Sequence, residues 1–368
     1  MNVVPRHCDN DPSAGARNLL LNCAGCQPGD RVLIVFEAEE HGYFDRDVLH
    51  TVQREALRLG LEVSSFDVGF KPTRNRLPSA LTKRLGLYDV VLFLARLGDQ
   101  LRFSNLPKGP KFIVCFASNR YLLGSRFGRA NYDALCRVKQ AIDSAIHSAQ
   151  HVTLRCPNGT QVTGHVRDKS VAPQDTTALR FPMSVFSPVA ANAFSGQVAL
   201  GGFLTGTGSS YYDDYSVEFE GPVFAEVKAG RLVAFHGAPS DVSRANAQYD
   251  RVSETFGLDR NCVHSWHAGI HPGCGFPWDL RRNYELWGGA AFGNPRVLHF
   301  HTCGADAPGE ISWNVFDPTI EVDGVCVWEN GRLQIERLTN GCDILDDFPG
   351  LRPLFADPDR NIGLRHAH

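Results

Sequence analysis

Histidine is concentrated in two short stretches of this chain. VHSWHAGIHPG carries His264, His267 and His271, and LHFHTCG carries His299 and His301. A neutral imidazole offers a lone pair to zinc or iron(II), and two such segments can close on one ion. On a helix, spacings of three and four would bring the first three rings to one face, but Gly269, Pro272 and Gly273 interrupt any long helix there. His299 and His301 flank Phe300 and share a face if that stretch is a strand. Metal sites usually add a carboxylate or thiolate, and Glu310, Asp306, Asp317, Cys262 and Cys303 lie near these segments. One possible set is His267, His301 and Glu310. The competing reading is of half-buried imidazoles hydrogen-bonded to backbone carbonyls and packed on aromatic rings.

Other chemistry-bearing segments are less specific. LTGTGSSYYDDYS, residues 204 to 216, sets backbone N–H groups and carboxylates beside Tyr211, Tyr212 and Tyr215. It reads equally as a polar-ligand site or a solvated hairpin loop. Cys23 and Cys26 have dithiol spacing, but no second pair completes a zinc set. The eleven cysteines are otherwise scattered, which suggests free thiols in a reducing cytoplasm. No serine lies in a GxSxG elbow. The sequence opens with MNVVPRHCDNDPSAG, without a secretory leader pattern, and no apolar run is long enough to span a bilayer. With 37 basic and 40 acidic side chains there is no basic footprint for nucleic acid or an anionic membrane.

The elements that must position these residues divide in character near residue 150. Before it, RVLIVFE, LEVSSFDV, YDVVLFLA and KFIVCFA are apolar runs of the kind buried in a parallel sheet, alternating with helical patterns such as Asn131 to Ala149. The expectation is an α/β domain over residues 1–149 with an open parallel sheet. Glu37, Glu39 and Glu40 follow the first strand where a phosphate loop would need glycines, which disfavours a nucleotide. After residue 150, hairpin turns are expected at Asn158-Gly159, Ala229-Gly230, Asp323-Gly324 and Asn330-Gly331, with a helix from Ser240 to Gly257. Residues 150–368 therefore read as an α+β domain that contains the cleft.

Four segments carry a resemblance: VTLRCPNGTQVTGHV, FPMSVFSPVAANAFSGQV, SWHAGIHPG and SWNVFDPTIEVDG. In order and spacing they resemble the C-terminal region of the thermophilic metallo-aminopeptidase family (aminopeptidase S and T type), whose fold the iron(II)-dependent 2,5-dihydroxypyridine dioxygenases share. The resemblance implies an aminopeptidase-like C-terminal domain and a homodimer. It also places Ser184 at one ligand glutamate of the peptidases, His267 near a second, and Ser312 and Asn314 at a His-x-Asp ligand pair, with a further histidine at His299 or His301.

On that placement most of the family's metal-binding carboxylates are missing. The resulting expectation is a diverged, metal-free protein without a cofactor. It would bind a peptide or small amide in a cleft lined by Ser184, His267, His299, His301, Ser312, Asn314, Tyr211 and Tyr212, and serve as an accessory to a partner enzyme in a specialised biosynthetic pathway. The alternative expectation is a metalloenzyme, either an aminopeptidase-like amide hydrolase or a ring-cleaving dioxygenase, with iron(II) or zinc on His267, His301 and Glu310. Trp313 is expected in the core, and Trp266 either in the core or against the ligand.

Overall fold

Apolar runs four to six residues long, bounded by turn residues, build the first layer of the protein. The structure, a computed structural model, describes residues 10–166, 176–206, 208–209 and 212–364. In chain order the strands are β1 (Arg31–Phe36), β2 (Glu62–Asp67), β3 (Val90–Leu94), β4 (Lys111–Cys115), β5 (Val152–Arg155), β6 (Gln161–Gly164), β7 (Leu179–Phe181), β8 (Val189–Ala190), β9 (Ser195–Ala199) and β10 (Phe203–Thr205). They continue as β11 (Ser216–Glu218), β12 (Phe224–Lys228), β13 (Arg231–His236), β14 (Val263–Ala268), β15 (Val297–Cys303), β16 (Glu310–Phe316), β17 (Thr319–Val322), β18 (Val325–Glu329) and β19 (Arg332–Leu333).

The first sheet is parallel, in the order β2-β1-β3-β4-β7. Its helices start and stop where side-chain chemistry requires. Asp45 accepts from the Val48 N–H at 2.8 Å to cap the helix Arg46–Arg58, and Gly60, at φ 74°, takes the left-handed turn beyond its end. The helix Tyr132–Ser148 is capped by Asn131 and buries Leu135, Val138, Ile142 and Ile146, an apolar stripe in which each side chain contributes about 1.5–3 kcal/mol by leaving water. The sheet's last strand, β7, comes from beyond residue 150, so the chain returns to the first layer after the hairpin β5–β6.

Among the described residues, the remaining strands form two antiparallel sheets, β11-β10-β16-β15-β14-β8 and β13-β12-β9-β6-β5-β17-β18-β19. Their turns are the expected ones. Ala229 and Gly230 have φ of 47° and 70°, and the pairs Asp323-Gly324 and Asn330-Gly331 are likewise both left-handed. The parallel sheet of the N-terminal part and the mixed α+β remainder are thus both present. The six-stranded sheet has two unlike faces. Trp266, Phe300 and Trp313 stand opposite one another across β14, β15 and β16, all at most 1% exposed, and form one wall of the core. This places both tryptophans in the core, on the face away from His267. Phe186 and Phe194 pack edge-on against Trp266.

Candidate metal centre

The other face of that sheet is polar. Residues directly opposite in an antiparallel pair share a face, so the register His267↔His299↔Asn314 makes one row across β14, β15 and β16. The pairs Ser265↔His301, His301↔Ser312 and Ser312↔Thr205 make the next row, reaching β10. His264 falls on a strand and not on a helix, at an irregularity between Val263 and Ser265. Its Nε2–H donates to the Cys303 carbonyl at 2.9 Å. His271 lies beyond the strand and is fully buried; its Nε2–H donates to the Phe127 carbonyl, and its Nδ1 accepts from the Gly273 N–H. The helical face considered for His264, His267 and His271 does not form.

His267, His299 and His301 do converge. The Nε2 atoms of His267 and His299 are 2.5 Å apart, and those of His267 and His301 are 3.2 Å apart. One ligand atom from each ring lies within 4.8 Å of the others, and these three residues form the cluster with metal-binding geometry among the described residues. Two nitrogens held at about 2.0–2.1 Å from one ion, at angles between 90° and tetrahedral, are separated by roughly 2.8–3.4 Å. The His267–His301 spacing meets this. His267 and His299 would part by about half an ångström to admit an ion.

Hydrogen bonding sets the tautomers. His267 Nδ1 donates to the Phe186 carbonyl at 3.0 Å, which turns its Nε2 lone pair into the cluster. Phe186 is held in turn by its neighbour Ser187, whose N–H donates to Asp143 Oδ1 at 2.9 Å. Lys139 Nζ donates to both Asp143 and Ser187. Such outer contacts orient a ligand ring and fix which nitrogen is free. Burial, joined by the His301 ring and by Arg180 and Arg102, holds the His267 pKa well below its ordinary value. Burial does the same for His299, with His267 and His301 adding to it, and lowers His301 to about 4, with Arg102 assisting. All three rings are neutral at physiological pH, the form in which imidazole binds a metal.

Several buried polar atoms beside the triad have no hydrogen-bond partner among the described residues: His299 Nδ1, Asn314 Oδ1 and Nδ2, Ser312 Oγ and Thr205 Oγ1. They belong to adjacent positions of one sheet face, and buried groups of this kind are rarely left unmet without a functional reason. The donor set is therefore one that fits a divalent transition-metal ion.

The three histidines line a cavity of about 130 Å³, close to the size of an apolar cavity that holds a benzene ring. Ser184 lines it too, while Ser312 and Asn314 lie in the sheet beside it. Glu310 is buried at the far end of the polar face, opposite Cys303, and is not part of the three-nitrogen cluster. Tyr212 packs against Tyr215 and Phe256 and is absent from the cavity wall, which Tyr215 supplies. Tyr211 lies outside the described residues.

Other lining residues went unmarked in the sequence. Tyr43, Asp99, Arg102 and Phe116 come from the N-terminal part, and Arg180, Glu285 and Phe292 from later segments. Phe292 stacks on His299 at 4.3 Å between ring centres. Arg102 Nη1 pairs with Asp99 Oδ1 at 2.9 Å, an i,i+3 spacing visible in the sequence but indistinguishable from a surface ion pair.

The expectation of a metal-free protein without a cofactor is overturned by this cluster. That expectation counted the carboxylates missing at Ser184, Ser312 and Asn314. The ligand set is instead drawn from β15, whose two histidines both face His267.

No protein-family model matches the chain, and no curated protein does. Among solved structures, the chain is similar to a 2,5-dihydroxypyridine dioxygenase from Pseudomonas putida KT2440, with 14% identity, a TM-score of 0.57, and coverage of 88% of this chain and 96% of that one. It is also similar to AmpT from Thermus thermophilus, with 12% identity, a TM-score of 0.46, and coverage of 88% and 99%. At these identities the first likeness establishes a shared fold.

Proposed function

We propose that this protein is a metal-dependent enzyme in which His267, His299 and His301 hold one divalent transition-metal ion. We further propose that it acts on a small hydroxylated ring compound, bound as its anion, in the manner of a ring-cleaving dioxygenase. The observation that carries this reading is the convergence of three buried, neutral imidazole nitrogens on a cavity of single-ring size. Nitrogen-only ligand sets suit zinc or iron(II). A single cluster of three also favours one ion over the closely spaced pair used by two-metal hydrolases. Bound iron(II) would supply Lewis acidity and an electron source for dioxygen chemistry.

The chain's own residues account for substrate choice. Phe116, Phe292, Tyr215 and Tyr284 give the cavity flat walls, and an aromatic ring gains from stacking on such surfaces. Arg102 and Arg180 are close enough to His267 to depress its protonation, so the same positive field favours an anionic ligand. The oxygenase reading is chosen among the activities such a site can support because the P. putida dioxygenase shares the fold, which is an argument by analogy.

The test is oxygen uptake by protein loaded with iron(II) without air and then given oxygen with 2,5-dihydroxypyridine or catechol. The reading expects uptake coupled to loss of ring absorbance, and abolition of both in His299→Ala. Release of chromophore from an aminoacyl p-nitroanilide, with no oxygen uptake on any ring compound, would replace it with a hydrolase.

A further inference from the structure

Glu285 is a carboxyl in the same cavity that the triad does not use. It sits in the first turn of the helix Tyr284–Ala291, which Asn283 caps. Arg96 Nη1 donates to its Oε2 at 3.1 Å. That guanidinium is already engaged: Nε donates to Glu37 Oε1 at 2.8 Å, Nη2 to the His41 carbonyl at 3.0 Å, and its carbon lies 3.3 Å from the Phe70 ring centre. The Arg96 backbone N–H also donates to Glu37 Oε2 at 3.1 Å. One positive charge is thus shared between two carboxylates. The second oxygen of Glu285, Oε1, is buried and has no hydrogen-bond partner among the described residues.

Burial, opposed by Arg96 and reinforced by Asp99 and Glu37, raises the Glu285 pKa to about 7. The charged and titratable groups facing it are Arg96 and Asp99 from the helix Arg96–Gln100, Glu37 at the end of β1, Tyr43 from the loop that follows, and Tyr215 before β11. A carboxyl held near neutrality on the wall of the cavity is suited to accept and return a proton. Acidic hydroxyls on flat rings are the partners that match such a group and such walls.

We propose that Glu285 is the proton-transfer residue of the cavity, taking the proton of a ring hydroxyl when a phenol- or catechol-type substrate binds and returning it to the product. The O–H bond of the ligand breaks, its electron pair stays on the ligand oxygen, and the proton moves to the Glu285 carboxylate. The resulting anion lies in the field of Arg102 and Arg180. This inference rests on the metal-site reading above, and its test separates the two.

The probe is catechol, which is neutral in solution at neutral pH, added to zinc-loaded protein so that no redox chemistry intervenes. Ultraviolet difference spectra report whether bound catechol is ionised, and calorimetry in two buffers of different ionisation enthalpy counts protons released to solvent. Wild-type protein is expected to bind ionised catechol with almost no proton released. Glu285→Gln is expected to hold zinc with unchanged stoichiometry but to bind catechol roughly tenfold or more weakly, with any bound anion releasing its proton to buffer. Glu285→Asp, which keeps the charge, is expected to restore proton retention. If zinc binds both proteins and Glu285→Gln shows wild-type affinity and proton balance, the role of Glu285 is overturned. If wild-type protein holds no zinc, the metal-site reading fails first and this inference falls with it.

Discussion

Replacing Asn314 by valine should stabilise the metal-free protein while weakening its grip on metal. Asn314 is fully buried in the middle of β16, and neither atom of its carboxamide has a hydrogen-bond partner. A buried polar group left unmet costs about 1–3 kcal/mol, and an apolar replacement of similar shape removes that cost. Valine is β-branched and suits a central strand, so imperfect repacking offsets only part of the gain. The expected net effect on metal-free protein is a stabilisation of about 1–2 kcal/mol, read as a higher urea midpoint at unchanged slope. The loaded state reverses the sign. When His299 offers its Nε2 lone pair, its proton resides on Nδ1, which is buried without an acceptor, and Asn314 stands directly opposite in the strand register. Loss of such an outer partner typically costs roughly 10–100-fold in metal affinity, so zinc titration of the variant should show a weakening in that range. A variant that is destabilised by more than about 1 kcal/mol and binds zinc normally would show that the carboxamide serves the fold, and would refute the reasoning.

Other consequences follow from neighbouring contacts. Asp143→Asn weakens the partly buried pair with Lys139 and loosens Ser187 and hence Phe186, so stability should fall by about 1–2 kcal/mol in urea titration and zinc affinity should fall with it. His271 titrates at about 4 in the folded protein against 6.5 for the free group, mainly because it is buried. The folded state therefore binds fewer protons between those values: the stability contributed by His271 is complete above pH 6.5 and is lost as pH falls towards about 4. His271→Asn, which keeps an acceptor for the Gly273 N–H, should lose up to about 3 kcal/mol of that acid-dependent slope, measured by urea titration at a series of pH values.

Much of the fold was legible because its signals are local. The Asp45 cap, the Gly60 stop, the apolar stripe of the helix Tyr132–Ser148 and the left-handed hairpin pairs each depend on a few adjacent residues, and each formed where the pattern placed it. The site was legible only in part. Alternation along LHFHTCG correctly put His299 and His301 on one side, but nothing local says that β14 lies beside β15 in the register that sets His267 against His299. The same long-range pairing hid the histidine cluster. Read by position against a family pattern, the missing carboxylates at Ser312 and Asn314 suggested lost chemistry, whereas the neighbouring strand supplies nitrogen ligands to the same face. Arg102 and Glu285 are charged residues of ordinary surface type, and only the packing of distant segments makes them cavity walls.

The central claim is that the three imidazoles form one metal site. Cobalt(II) titration of metal-free protein under anaerobic conditions tests it most directly, because the absorption of the bound ion reports both stoichiometry and nitrogen ligation. The account predicts one cobalt per chain, unchanged in His264→Ala, whose ring bonds to the Cys303 carbonyl and is not one of the three, and lost in His267→Ala, His299→Ala and His301→Ala. Absence of a bound-cobalt spectrum in the parent protein, or binding that survives all three substitutions, would contradict it.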